Sequence, residues 1–139
     1  MGLDATVYKR IEKLEEVFGR GLFEVVGSTG EVQPRVGVGV SLPRGANVAI
    51  EKHLGNISTI GFLRGIVEQI CGMADSLVLC RILYSGSHCG DMIEPNQFPQ
   101  LRREIEKLKS QKSTSLRDFV DDLEALLSVA EDESNPIVF

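Results

Sequence analysis

The chain is predicted to be an α+β domain, with a largely antiparallel or mixed sheet and about three to four helices packed on one face. Two kinds of observation predict it. Short segments near the N-terminus alternate apolar and polar residues, the period of a half-buried strand. Later segments repeat apolar residues every three or four positions, the period of an amphipathic helix. No internal repeat, low-complexity tract or linker divides the 139 residues, so residues 1–139 are expected to form a single domain.

The elements follow in order. In LDATVY, Leu3, Ala5 and Val7 fall on one side and Asp4, Thr6 and Tyr8 on the other, which predicts a strand. Ile11, Leu14, Val17 and Phe18 then predict a short helix, broken by Gly19 and Gly21. GLFEVV, the turn GSTG and VGVGVSL predict β structure over 22–42, with Val36, Val38, Val40 and Leu42 on one face. Leu42-Pro43-Arg44-Gly45 predicts a turn, with NVAIE returning as a strand. A helix is predicted from Asn56 or Ser58, either of which can cap it, with Ile57, Ile60, Leu63, Val67, Ile70, Cys71 and Ala74 on its stripe. The nearly continuous apolar run LVLCRILY, residues 77–84, predicts a central strand buried on both faces. Arg81 within it then needs a carboxylate partner or an exit to water. Pro99 opens a helix with Leu101, Ile105 and Leu108 inward and a basic outer face. Ser115-x-x-Asp118 resembles a capping box that opens a last helix, acidic outside, with Leu116, Phe119, Val120, Leu123, Leu126, Leu127 and Ala130 in register. Opposite charge favours antiparallel pairing of these two helices. Ile137-Val138-Phe139 is apolar and predicts a short final strand.

Composition limits the function classes. The apolar fraction is 42% and the charged fraction 25%, and the net charge of −5 argues against a nucleic-acid or anionic-membrane partner. A basic protein would instead be attracted. No run approaches the roughly 20 apolar residues that span a bilayer, and MGLDATVYKR lacks the charge and apolar pattern of a secretory signal. A cytoplasmic location is expected. Cys71, Cys80 and Cys89 are odd in number and lack C-x-x-C spacing; Cys71 and Cys80 read as small core hydrophobes. Met1-Gly2 with Thr6 matches a myristoylation pattern and Asn56-Ile57-Ser58 a glycosylation sequon, but a strand start and a helix start account for them. Gly37-x-Gly39 is not a nucleotide loop: no helix opens after it, and Pro43 intervenes.

The chemistry concentrates in YSGSHCGDMIEPNQF, Tyr84–Phe98. Ser85, Ser87, His88, Cys89 and Asp91 are the candidate binding residues, with Asp4 a further one. His88 and Asp91, three apart, are the candidate ligands of a divalent metal, and Zn²⁺ accepts such donors. Structural zinc usually has paired ligands at both ends of its site, and only one cluster is present here. A Cys89 nucleophile lacks a base, because adjacent residues on extended chain point to opposite sides. The architectural reading is a turn: Gly86 and Gly90 permit unusual backbone angles, Ser85, Ser87 and Asp91 satisfy backbone groups, and His88 fastens the loop to a carbonyl. No catalytic residues are assigned.

Three segments carry a resemblance: Met1–Asp4 (MGLD), Tyr84–Asp91 (YSGSHCGD) and Asn135–Phe139 (NPIVF). Together they resemble a set of uncharacterised small bacterial proteins, a resemblance that implies no reaction. In size and acidity the chain also has a general likeness to toxin-immunity proteins. The resemblance implies one site if Asp4 lies beside the His88–Asp91 segment.

Two functions are expected from this reading. The first is a non-enzymatic binding protein for a basic partner, resting on net acidity and on Asp118, Asp121, Asp122, Glu124, Glu131, Asp132 and Glu133 of the final helix. The alternative is a metal-dependent or small-molecule-binding enzyme built on His88 and Asp91, with Cys89 and Asp4 beside them.

Overall fold

The computed structural model describes residues 2–72 and 75–139. Met1 and Ala74, named above in the first resemblance segment and the middle helix stripe, lie outside the described residues. Strand β1 (Gly2–Tyr8) turns Leu3, Ala5 and Val7 into the core, as the alternation requires. It pairs antiparallel with β4 (Val48–Asn56) on one side and with β6 (Ile137–Val138) on the other. β6 in turn pairs antiparallel with β5 (Met92–Ile93), giving the order β4-β1-β6-β5. The protein is therefore α+β with an antiparallel four-stranded sheet. The apolar end of the described chain lies inside that sheet rather than at its edge.

Helix α2 (Ile57–Cys71) starts where the sequence places it, with the Asn56 side chain accepting the Thr59 N–H at 2.8 Å. This satisfies one of the four donors that every helix start leaves free. Ile60, Leu63 and Val67 face the sheet. Gly61 and Gly65 sit mid-helix on the opposite side, and nothing lies within 4 Å of where a Cβ would stand on either. Each costs the helix about 1 kcal/mol relative to alanine.

Helices α3 (Phe98–Ser110) and α4 (Arg117–Glu133) pack together and complete the main core. Leu101, Ile105 and Leu108 of α3 meet Phe119, Val120, Leu123, Leu126, Leu127 and Ala130 of α4, the stripes expected from periodicity. The expected capping box at Ser115 is absent: α4 begins after Leu116 with no side-chain cap. A reciprocal box forms instead at a 3₁₀ turn, Pro95–Gln97, where the side chains of Glu94 and Gln97 satisfy each other's backbone.

Two strand expectations also fail, for physical reasons. The run 77–84 is not a strand. Val78–Ile82 forms a π-helical turn closed by Leu83 N–H to Val78 O at 2.8 Å. An eight-residue apolar run suits a buried helical turn as well as a buried strand, and distant residues decide between them. The Glu104 carboxylate of α3 accepts the N–H groups of Leu77 (2.9 Å) and Val78 (3.2 Å) and the Ser76 hydroxyl (2.6 Å). Ser76 Oγ accepts the Leu79 N–H at 3.2 Å. These partners satisfy a helix start, while Val78, Leu79, Ile82 and Leu83 fill the core and Arg81 reaches solvent. Cys80, expected inside, is exposed on the outer side of the turn, whereas Cys71 is half-buried and its thiol pKa is raised by burial.

The second failure is 36–42. Val36 is 98% exposed, and Gly37 and Gly39 hold φ of 88° and 69°, outside the range of a strand. Only β2 (Phe23–Val26) and β3 (Glu31–Pro34) form from this region, as a separate two-stranded antiparallel sheet. With α1 (Ile11–Phe18) they enclose a second small core of Leu14, Phe23 and Val32, against which Val40 and Leu42 pack.

Candidate functional site

The segment after the π-helical turn folds back over it. The His88 imidazole is 7% exposed, and its Nε2 lies 2.9 Å from Ile82 O, which fastens the loop to the turn. The ring stacks on Tyr84, with centroids 4.5 Å apart at 28°, and sits 6.1 Å from the Phe139 ring. Asp91 Oδ2 is 2.8 Å from His88 Nδ1, yet Nδ1 has no aligned hydrogen-bond partner, so the two groups lie close without a directed bond. The Tyr84 hydroxyl donates to the same carboxylate oxygen. A phenolate beside that carboxylate would meet like charge, and the Tyr84 pKa is raised, first by this bond.

Ser85 and Ser87 form a local turn, with Ser85 Oγ donating to Ser87 O at 3.1 Å and accepting the Ser87 N–H at 3.4 Å. Gly86 presses on α2: a Cβ there would stand 2.8 Å from Ile57 Cγ2 and 2.9 Å from Ile57 Cα. Gly90 N–H donates to Phe139 O at 2.6 Å, and Phe139 N–H donates to Asp91 O at 2.8 Å, which extends the sheet past β6. Cys89 is exposed while its neighbour His88 is buried, the opposite pointing that adjacency predicts.

The structure thus brings His88, Asp91 and Tyr84 together. Tyr84 was not among the candidate residues; its place at the head of the same short cluster was the available signal. Asp4 contacts another residue. On β1 its carboxylate lies 2.6 Å from Nδ1 of His53 on β4, with both side chains exposed. Among the described residues no hydrogen bond or ion pair joins Asp4 to the 84–91 segment, and no group of three His, Cys, Asp or Glu is placed to hold a metal ion. The cleft beside Asp91, lined also by Arg81, Glu94 and Gln97, has a volume of about 210 Å³. Pockets for small organic ligands commonly run to ~300–1,000 Å³.

The acidic helix α4 is largely neutralised within the chain. Glu133, 2% exposed, is 2.7 Å from Lys13 Nζ, and Asp132 is 3.2 Å from the same nitrogen. These bonds raise the Lys13 pKa, Glu133 foremost. Glu131 pairs with Arg102, Glu124 with Lys109 at 2.7 Å and Asp122 with Lys52 at 3.7 Å. The opposed charges of α3 and α4 therefore meet each other, and Asp118 and Asp121 are the two acids of the seven with no ion pair among the described residues.

Acid with no ion pair among the described residues lies elsewhere. Residues 10–35 carry Glu12, Glu15, Glu16, Glu24 and Glu31 against Arg10, Lys13, Arg20 and Arg35; Lys13 is engaged by α4, and Arg35 Nε donates to Phe23 O at 3.0 Å. Glu12, Glu16 and Glu24 are exposed. The same lobe exposes Val17, Val25 and Val26, respectively 75%, 52% and 40% exposed. No protein-family model, curated protein or solved structure matches the chain.

Proposed function

We propose that the protein is a non-enzymatic binding module for a basic protein, and that it docks through the lobe made by α1 and the β2–β3 hairpin. One observation carries this reading: that lobe exposes Glu12, Glu16 and Glu24, which no ion pair among the described residues engages, together with Val17, Val25 and Val26, whereas the acids of α4 are mostly engaged by lysines and arginines of the same chain. Apolar contact gives such a surface affinity, and its surrounding charge gives orientation and speed of encounter. Neutralisation of a basic toxin, as an immunity protein does, is one instance of the class and draws on size and acidity.

The test is capture from an extract of the source cells by wild type and by a Glu12→Lys/Glu16→Lys/Glu24→Lys variant. The expected result is a basic protein held by wild type at low salt, released as salt shortens the screening length, and not held by the variant. Equal capture by both, or none by wild type, overturns the proposal.

The alternative is a metal or small-molecule site at His88 and Asp91. A single observation favours it: His88 Nδ1 is buried beside a carboxylate without an aligned partner. A melting point raised by Zn²⁺, Mn²⁺ or Mg²⁺ in wild type, and unresponsive in both His88→Ala and Asp91→Ala, would select this alternative.

A further inference from the structure

The C-terminal end of α4 carries its charge against the helix dipole. Free carbonyl groups give that end a partial negative charge, which favours lysine or arginine in the last turn. Here the last turn holds no basic residue and finishes with Glu131, Asp132 and Glu133. Glu131 is engaged by Arg102, whereas Asp132 and Glu133 share the single ammonium of Lys13. One positive charge thus serves two carboxylates. Glu133 is the buried one of the two, 2% exposed, and its contacts are one-sided. Oε1 takes the Lys13 ammonium, while Oε2 is buried and accepts no hydrogen bond among the described residues. An ionised oxygen held out of water without a donor is costly, so a donor from outside the chain would stabilise it.

Glu133 also lines a cleft of about 490 Å³ where the end of α4 meets the start of α1 and the β2–β3 hairpin. Glu12 and Val25 line the same cleft, and both are exposed members of the α1 lobe. Arg10 is the basic residue of the lining; it is exposed and forms no ion pair among the described residues. The wall between hairpin and helix is fixed: Asn135 Nδ2 donates to Tyr8 O at 2.8 Å, and a Cβ on Gly30 would stand 2.6 Å from Asn135 Cγ. We propose that this cleft takes a protonated amine or guanidine, whose N–H is accepted by Glu133 Oε2 and whose charge is balanced by Glu133 and Glu12. Rotation about the last bond of a glutamate is soft, so Oε2 can meet a donor that enters from the cleft. The volume lies within the ~300–1,000 Å³ of ligand pockets; it suits one lysine or arginine side chain or a small free amine. The inference rests on the reading of the α1 lobe as the docking face for a basic protein, which makes a side chain of that partner the first source of the group and a free amine the second.

Titration of the protein with N-acetylarginine amide, agmatine and tetramethylammonium, followed by backbone amide NMR shifts, tests it. The first probe stands for a protein side chain and the second for a free amine. At least one of them should bind with a dissociation constant on the order of millimolar and shift the amides of Ile11, Gly30, Ser134 and Asn135. Tetramethylammonium carries charge without an N–H donor and should shift none of them at equal ionic strength. Glu133→Gln should weaken binding roughly tenfold or more, because a charged acceptor becomes neutral. Glu12→Gln changes an exposed residue, leaves the fold intact and should weaken binding roughly twofold to fivefold. No binding by either donor probe, equal shifts from tetramethylammonium, or variants that bind as wild type does, each overturns the cleft proposal. A basic protein captured by wild type while neither donor probe binds overturns the cleft and leaves the docking lobe standing. A probe bound while no basic protein is captured overturns the docking reading and assigns the cleft to a free amine.

Discussion

Removing the Glu104 carboxylate should loosen the π-helical turn that seals the core. Glu104→Ala leaves the N–H groups of Leu77 and Val78 without acceptors, and these residues are 7% and 0% exposed. A buried donor left unsatisfied costs about 1–3 kcal/mol. The lower half of that range applies, because Glu104 is only half-buried and lies beside a solvent-open cleft of about 120 Å³ that can admit water. Two donors then cost about 2–4 kcal/mol. Unfolding entropy of about 2.1 cal/mol/K per residue gives about 0.3 kcal/mol/K for a chain of this length, so the melting point should fall by about 7–13 °C. Glu104→Gln keeps one acceptor oxygen and should lose about a third to a half as much. Thermal unfolding followed by circular dichroism measures both, and hydrogen exchange at the Leu77 and Val78 amides localises the effect. If Glu104→Ala melts within about 2 °C of wild type, or those amides stay protected, the carboxylate does not hold the turn and the explanation given for its helical form is wrong.

Two further outcomes are expected. His88→Ala removes the bond to Ile82 O and the stack on Tyr84, and should cost about 2 kcal/mol, or about 7 °C; if the loop is architecture, that loss is the same with EDTA as with added Zn²⁺, and a metal-dependent loss refutes this. Both tyrosines should ionise above the ordinary value of 10.0, Tyr84 because of its bond to Asp91 and Tyr8 because of burial and then Glu31 and Glu51. A raised folded-state pKa contributes stability that is fully present below pH 10 and lost as pH rises through the folded value. Tyrosinate absorbance in wild type and Tyr84→Phe assigns the two steps, and a tyrosine ionising at or below 10 contradicts the described contacts.

The parts legible in the sequence are those whose signal is local. Asn56 caps α2 because its side chain reaches an N–H three residues on, and the stripes of α3 and α4 follow from helical period alone. The final strand was legible because Ile137-Val138-Phe139 would otherwise leave apolar surface uncovered. What escaped depends on residues far apart. The form of 77–82 is decided by Glu104, more than twenty residues away, and no local pattern carries that information. The valine–glycine alternation at 36–42 misleads because Gly37 and Gly39 are used for positive φ, which a strand excludes. At the candidate site the nearness of His88 and Asp91 was readable from their spacing. The α3–α4 ion pairs were readable from the opposite charges of the two helices, but the pairing of Asp4 with His53 depends on β1–β4 register, and the engagement of α4 by Lys13 and Lys52 on how α1 and β4 dock; neither of these is visible in one dimension.

The position of β6 bears on how the protein can be made. Thr6 pairs with Val138, and β5 joins the sheet only through β6. During synthesis β1 can pair with β4 as soon as residue 56 has emerged, but β5 has no strand to join until residues 137–138 leave the ribosome. Until then the Thr6 side of β1 is an open edge, able to accept a strand from another nascent chain. A contact spanning nearly the whole chain is also slow to close. The sheet that looks most settled in the finished fold is therefore the last part to be completed, and the interval before its completion is when the chain most needs protection from its neighbours.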